Sequence, residues 1–299
     1  MTYAAIDIGS NAVRLLIKRD EARCRYLDKL ILVRVPLRLG FDVFKNGVIS
    51  DDKTSNLMDL MRSYALLMKI YKVDILRACA TSAMRDASNG HDIITRIKEN
   101  TGIDVEIITG AEEAKIVYNN HQEQGFDKNG NYLYVDVGGG STELNLLSKG
   151  ELKFSRSFNI GTVRMLTGNV KANVWAELCD LCMTLRKEYQ NLKIVGSGGN
   201  INKLYKLIGE KKPKRIRVED LKELYDEMSA MTMEERMVKY TMRPDRADVI
   251  IPASNIFLTI ANLAGVNTIL VPVIGVADGI IDGLARENHS VCLAQAKDE

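Results

Sequence analysis

Apolar positions follow two rhythms along this chain, and the switches between them lay out its elements. Positions 3–8, 12–18 and 26–35 are short β-branched runs separated by turns, which predicts three successive strands. From Asp51 to Tyr71 the rhythm lengthens. Leu57, Leu60, Met61, Tyr64, Leu67 and Met68 recur at helical spacing and predict one long amphipathic helix. A strand at "VDILRACA", a polar turn "TSAMRDASNG", a helix at 93–99, a strand at "IDVEIIT" and a helix from about Ala111 follow. Strands succeeded by strand–helix alternation predict a mixed sheet covered by helices.

The polar, glycine-bearing stretch "HQEQGFDKNGN", 121–131, has no periodicity and is the best boundary. After it the scheme restarts, with strands at 132–137, 142–147 and 151–158, a helix near 172–188 and a strand at "LKIVG". A long apolar helix from Pro252 to Leu263, a strand "TILVP" and a closing helix at 277–287 end the chain. Two domains of one ground plan are therefore expected, 1–124 and 125–299, with the last helix packing back on the first.

Composition narrows the classes. At 299 residues, 46% apolar and 27% charged, the chain has the make-up of a soluble globular protein with a core in each domain. A net charge of +2 gives no overall field for nucleic acid or membrane, and neither is expected as a partner. The N-terminus enters a strand at once, no apolar run reaches 18 residues, and five scattered cysteines suit reduced thiols. A cytoplasmic location is expected. Cys179 and Cys182 form a lone C-x-x-C inside a helical pattern, where helix packing is the simpler role. His91, His121 and His289 are dispersed and show neither metal-ligand spacing nor a Ser/His/Asp arrangement.

The candidate chemistry lies in a duplication. "AIDIGSNAVRL" and "VDVGGGSTEL" each run a strand into an aspartate, a glycine turn and small polar residues. Gly138, Gly139 and Gly140 lack Cβ atoms, so their amides can approach a ligand closely and form an anion-binding nest. Ser141 adds a hydroxyl, and Gly9, Ser10 and Asn11 are the counterparts in the first turn. Asp7 and Asp136 cannot hold phosphate themselves but can hold a divalent cation that bridges to it. Two such turns across a cleft would clamp a phosphate chain. Neither fits the P-loop or the dinucleotide pattern.

Around the turns stand further candidates. In "TGAEEAKIVY", Glu112 is accounted for by a capping box with Thr109, whereas Glu113 leaves the same helix start in another direction. There it could take a proton from attacking water, the alternative being a solvated surface glutamate. Glu143 shares a strand face with Ser141 and could hold metal or orient water, or simply face solvent. Arg85 offers a fork to a phosphate or a carboxylate, and Asn89 is expected partly to cap a helix. Arg14, in an apolar strand, is expected to point to a cleft or pair with a buried acid. "VGSGGN" is a third glycine turn, bringing in Gly198. The run "EKKPKRIR" holds Lys211, Lys212, Lys214, Arg215 and Arg217, either a solvated loop or a landing surface for a polyanion.

"AIDIGSNAVRLLI", "ATSAMRD", "ITGAEEA", "YVDVGGGSTEL" and "RADVI" together resemble the exopolyphosphatase/guanosine pentaphosphate phosphohydrolase family. The likeness runs from Ala5 to about Gly283. It implies an α/β, two-domain actin-like (ribonuclease H-like) fold with an interdomain cleft. The implied activity is Mg²⁺-dependent, with Mn²⁺ able to substitute: hydrolysis of the terminal phosphate of inorganic polyphosphate, or of the 5′ γ-phosphate of pppGpp. Carried over, Glu113 is the general base and Glu143 a water- or metal-organising residue. Asp7 and Asp136 are metal-associated, Arg85 binds phosphate, and Gly138 to Ser141 form the phosphate-holding turn. A homodimer is also implied. Ala12 and Asn200 depart from the usual residues of two turns. The added C-terminal helical domain of longer relatives is missing from this sequence, which implies action on shorter chains or lower processivity. Polyphosphate is the preferred substrate, since no dedicated guanine reader is evident. The rivals are an actin-like ATPase or sugar kinase, a polyphosphate or alarmone sensor without turnover, and a basic nucleic-acid module.

Overall fold

The computed structural model describes residues 1–20, 27–119, 127, 129–209, 214–272 and 275–295. The chain forms two compact units, Met1–Thr109 with Val276–Glu299, and Gly110–Gly275. The division falls at Thr109/Gly110. Most of the 121–131 stretch read as a boundary lies outside the described residues, as does the 124/125 division itself.

In the first unit β1 (Thr2–Ile8), β2 (Val13–Arg19) and β3 (Asp28–Val35) form an antiparallel meander. Helices α1 (Leu39–Asn46) and α2 (Asp51–Ile70) lead to β4 (Ile75–Ala80), parallel to β1. Helices α3 (Ser82–Asp86) and α4 (Gly90–Thr101) lead to β5 (Val105–Ile107), parallel to β4. The sheet order is β3-β2-β1-β4-β5. β1 is central and buried along its whole length, which is why it reads as an unbroken apolar run up to Asp7. On α2 the expected stripe is real: Leu57, Met61, Tyr64 and Met68 are buried, and Asp51 and Asp52 occupy the positive helix start.

Two local expectations change. The polar turn "TSAMRDASNG" contains α3, too short to show a period. Asn89 makes no cap hydrogen bond to α4. Its side chain instead accepts from Ile49 N at 3.1 Å and donates to Ile49 O at 2.9 Å, tying two linkers together.

The second unit opens with α5 (Gly110–Asn119). Then β6 (Asn131–Val137), β7 (Thr142–Ser148) and β8 (Glu151–Phe158) form another antiparallel meander. Helices α6 (Thr162–Leu166) and α7 (Ala172–Glu188) precede β9 (Lys193–Ser197), parallel to β6. Next come α8 (Gly199–Ile208), β10 (Arg215–Arg217), α9 (Val218–Ser229), α10 (Met233–Lys239) and α11 (Pro244–Ala247). α12 (Ile250–Ala264) and β11 (Thr268–Leu270) complete it, β11 lying parallel to β9. The sheet order β10-β11-β9-β6-β7-β8 repeats the first sheet, with β10 added as an antiparallel edge. The duplicated plan is thus a matter of strand order and direction.

Phe257, Ile256 and Ile260 of α12 are fully buried in a core shared with Leu133, Leu144, Leu178 and Ile201. The span Pro244–Ala264 has the length and composition to cross a membrane, but 67% of its most apolar window is buried inside the unit. Cys182 lies in the same core, and burial pushes its thiol up to about 12, which suits packing.

α13 (Val276–Gln295) belongs to the first unit and packs against β1 and β2. Lys18 Nζ lies 3.0 Å from Asp278 and 3.2 Å from Asp282 on that helix. Asn288 donates to the Tyr3 hydroxyl at 3.1 Å.

Candidate active site

Each sheet ends its central strand in a buried aspartate and a glycine turn. In the first unit Asp7 is 2% exposed and lies opposite Arg14 in the β1–β2 register. Arg14 Nη1 is 2.5 Å from Asp7 Oδ2, so the buried acid foreseen for Arg14 is Asp7. The turn that follows has its carbonyls engaged. Gly9 N donates to Ala12 O at 3.2 Å, Gly40 N to Ser10 O at 2.8 Å and Arg38 N to Asn11 O at 3.0 Å. Ser10 Oγ is 2.8 Å from Ser82 Oγ, joining the turn to the start of α3. Arg85, near the end of α3, donates to Ile108 O at 2.6 Å.

The second unit repeats the device more tightly. Gly138 N donates to Ser141 O at 2.9 Å, Thr162 N to Gly138 O at 3.0 Å and Val163 N to Gly139 O at 2.8 Å. Arg164 Nε donates to Gly140 O at 2.8 Å. The carbonyls of Gly138 through Ser141 all accept within the protein and Gly138 spends its amide on Ser141 O, so the amides of Gly139 to Ser141 are the ones an anion nest would use. Its mould is the start of α6. A Cβ on Gly161 would stand 2.5 Å from the backbone of Gly139 and Gly140, so only glycine fits there.

Carboxylates surround this turn. Asp136 and Glu143 lie directly opposite each other on β6 and β7, 5% and 1% exposed. Ser197 Oγ donates to Asp136 Oδ2 at 2.7 Å, and Ser157 Oγ to Glu143 Oε1 at 2.8 Å. Each hydroxyl orients a carboxylate that the sheet has largely removed from water. Gly198, with φ of 92°, presses on Asp136, since a Cβ there would lie 2.8 Å from Oδ1. Asn200 is a two-sided link, donating to Val137 O at 3.3 Å and accepting from Arg246 Nη1 at 2.8 Å. The amide at this departing position therefore still bonds.

Glu113 is 7% exposed on α5 and sits in the second unit with Glu143 and Asp136, although the sequence assigned it to the first domain. Gly110, at the start of α5, lies so close to Ser157 that a Cβ would meet its side chain at 2.5 Å. Ser157 thus touches both the helix of Glu113 and the carboxylate of Glu143. The second unit collects Glu113, Glu143, Asp136, Gly138–Ser141 and Gly198; the first collects Asp7, Gly9–Asn11 and Arg85.

Among the described residues no group of three or more His, Cys, Asp or Glu side chains is gathered to hold an ion. Mg²⁺, the ion the motif resemblance implies, takes one or two carboxylates and completes its shell with water and phosphate. Asp7, Asp136 and Glu143 are the carboxylates expected to hold it; in the structure Asp7 pairs with Arg14, Asp136 accepts from Ser197 and Glu143 from Ser157. Of the basic run, Lys211 and Lys212 lie outside the described residues, and Arg217 pairs locally with Asp220 and Glu219. Gly161, Arg164, Ser157 and Ser197 were missed from the sequence. Only the glycine in "SFNIGTVR" carries a visible signal.

A twice-built sheet, with a buried aspartate and a glycine turn at the end of each central strand, defines a two-unit α/β protein. The chain belongs to the Ppx/GppA phosphatase family, whose model matches residues 25–288. It is similar to the guanosine-5′-triphosphate,3′-diphosphate pyrophosphatases of Aeromonas hydrophila and Aeromonas salmonicida, 24% identical over 300 residues and 96% of this chain. The chain spans 60% of the length of those curated relatives. The solved Ppx/GppA family member of Aquifex aeolicus is 26% identical with a TM-score of 0.77, over 96% of this chain and 98% of that one. An exopolyphosphatase from Cytophaga hutchinsonii is similar in fold, with a TM-score of 0.83 at 24% identity over 95% and 98% of the chains. The resemblance drawn from the sequence motifs and the expected α/β class are both borne out.

Proposed function

We propose that this protein is a phosphoanhydride hydrolase that removes the terminal phosphate of inorganic polyphosphate by direct attack of water. The observation that carries this reading is the second-unit arrangement: Glu143 held by Ser157, the helix of Glu113 seated on that same serine, and an amide-edged turn beside them. Glu113 takes the proton as the water oxygen bonds to phosphorus, and the bridging P–O bond breaks to release a chain one phosphate shorter. Glu143 orients the water, while the turn amides receive phosphate oxygens. When bound, Mg²⁺ supplies neutralisation of phosphate charge, with Asp136 and Glu143 as the side chains that would hold it.

The names of the Aeromonas relatives favour a second reading, pppGpp as the substrate with the same chemistry. The test is phosphate release with Mg²⁺ from chains of defined length and from pppGpp, using wild type and Glu113→Gln. Release that falls about 100-fold or more in the variant supports a general base at Glu113. Faster cutting of pppGpp moves the substrate assignment and keeps the chemistry. Binding of either compound without turnover in the wild type refutes the hydrolase reading and leaves a sensor.

A further inference from the structure

Asn145 is fully buried on β7, two residues beyond Glu143 and on the same strand face. Nothing in the chemistry above uses it. Its Nδ2 donates to the carbonyl of Ala114, the residue after Glu113, at 2.9 Å. Among the described residues its Oδ1 has no hydrogen-bond partner, and neither does Oγ of Ser155, directly opposite on β8. A buried amide whose oxygen has no protein partner is a cost that a leucine would not incur. Its position shows what it does there. Gly110 seats on Ser157, the cross-strand partner of Glu143, and Ala114 is bonded to Asn145. Four residues of helix rise about 6 Å and two residues of strand about 6.8 Å, so the two contacts are nearly commensurate. Glu113 lies between them.

We propose that Asn145 is a positioning residue for Glu113: its bond to Ala114 sets the register of α5 along β7, and with it the placement of Glu113 relative to Glu143. The kinetic consequence rests on the hydrolase reading; the register itself does not. Two variants separate position from folding. Asn145→Leu fills the site without a donor, and Asn145→Asp, measured at a pH where its carboxyl is ionised, keeps the shape without one.

The first measurement is amide hydrogen exchange in both variants. Exchange at residues 111–117 is expected to quicken about 10-fold or more while β6 stays protected, with the melting temperature of Asn145→Leu no lower than wild type. The second is kinetics, where kcat should fall about 10-fold or more with KM within about 2-fold. Unchanged exchange in α5 overturns the proposal. So does exchange that quickens across the whole unit, or a loss carried by KM alone, since either describes general loosening. If the wild type releases no phosphate from either substrate, the hydrolase reading falls and the exchange pattern alone decides the register.

Discussion

Gly161 shows how much rests on one missing methyl group. A Cβ there meets the backbone of Gly139 and Gly140 rather than a side chain that could swing away. Gly161→Ala must therefore push the Gly138–Ser141 turn off the start of α6. Overpacking of this kind costs about 1–3 kcal/mol, and the displaced amides should lower kcat/KM by about 10-fold or more. Urea unfolding and steady-state kinetics on the one variant would measure both. Glycines such as this are hard to weigh in a sequence because their reason lies in a distant chain segment, here Gly139 and Gly140. Asp136, Glu143 and Glu113 were legible, since each stands beside a glycine turn or at a helix start that announces itself locally. Ser157 was not: its partner Glu143 is fixed by β7–β8 register, which no local pattern encodes.

Elements divide in the same way. The strands of both meanders and the long helices α2, α7 and α12 follow apolar periods that run for many residues, and their positions agree with expectation within a few residues. Helices α3, α6 and α11, of five, five and four residues, span barely a turn and leave no rhythm to read. The closing helix was legible, but its anchoring was not. Lys18 is drawn out of water by burial, which alone would lower its pKa, yet Asp278 and Asp282 outweigh that and raise it above the ordinary 10.5. A raised folded-state pKa means the anchor's contribution is complete below the unfolded value and is lost as pH climbs through the folded one. Lys18→Met should accordingly cost roughly 2 kcal/mol at neutral pH. That gap between variant and wild type should close in strongly alkaline solution, as urea titrations across the range would show.

At the scale of the whole molecule, the two sheets share strand order and direction while their surroundings differ. The second unit has a continuous core of its own, built from β6, β7, β9, α7, α8 and α12. The first is assembled from both ends of its sequence, because α13 packs on β1 and β2. Residues 110–275 produced alone should unfold cooperatively in urea, whereas residues 1–109 alone should lack a cooperative transition, and circular dichroism through both titrations would tell. Translation gives this arrangement a direction in time. A ribosome adds about 5–20 residues per second, so the strands of the first sheet emerge early and must then wait through the 166 residues from Gly110 to Gly275 before their covering helix exists. For roughly 8–33 seconds at that pace, the nascent chain carries β1 and β2 with a face still bare. The unit made first is the one completed last.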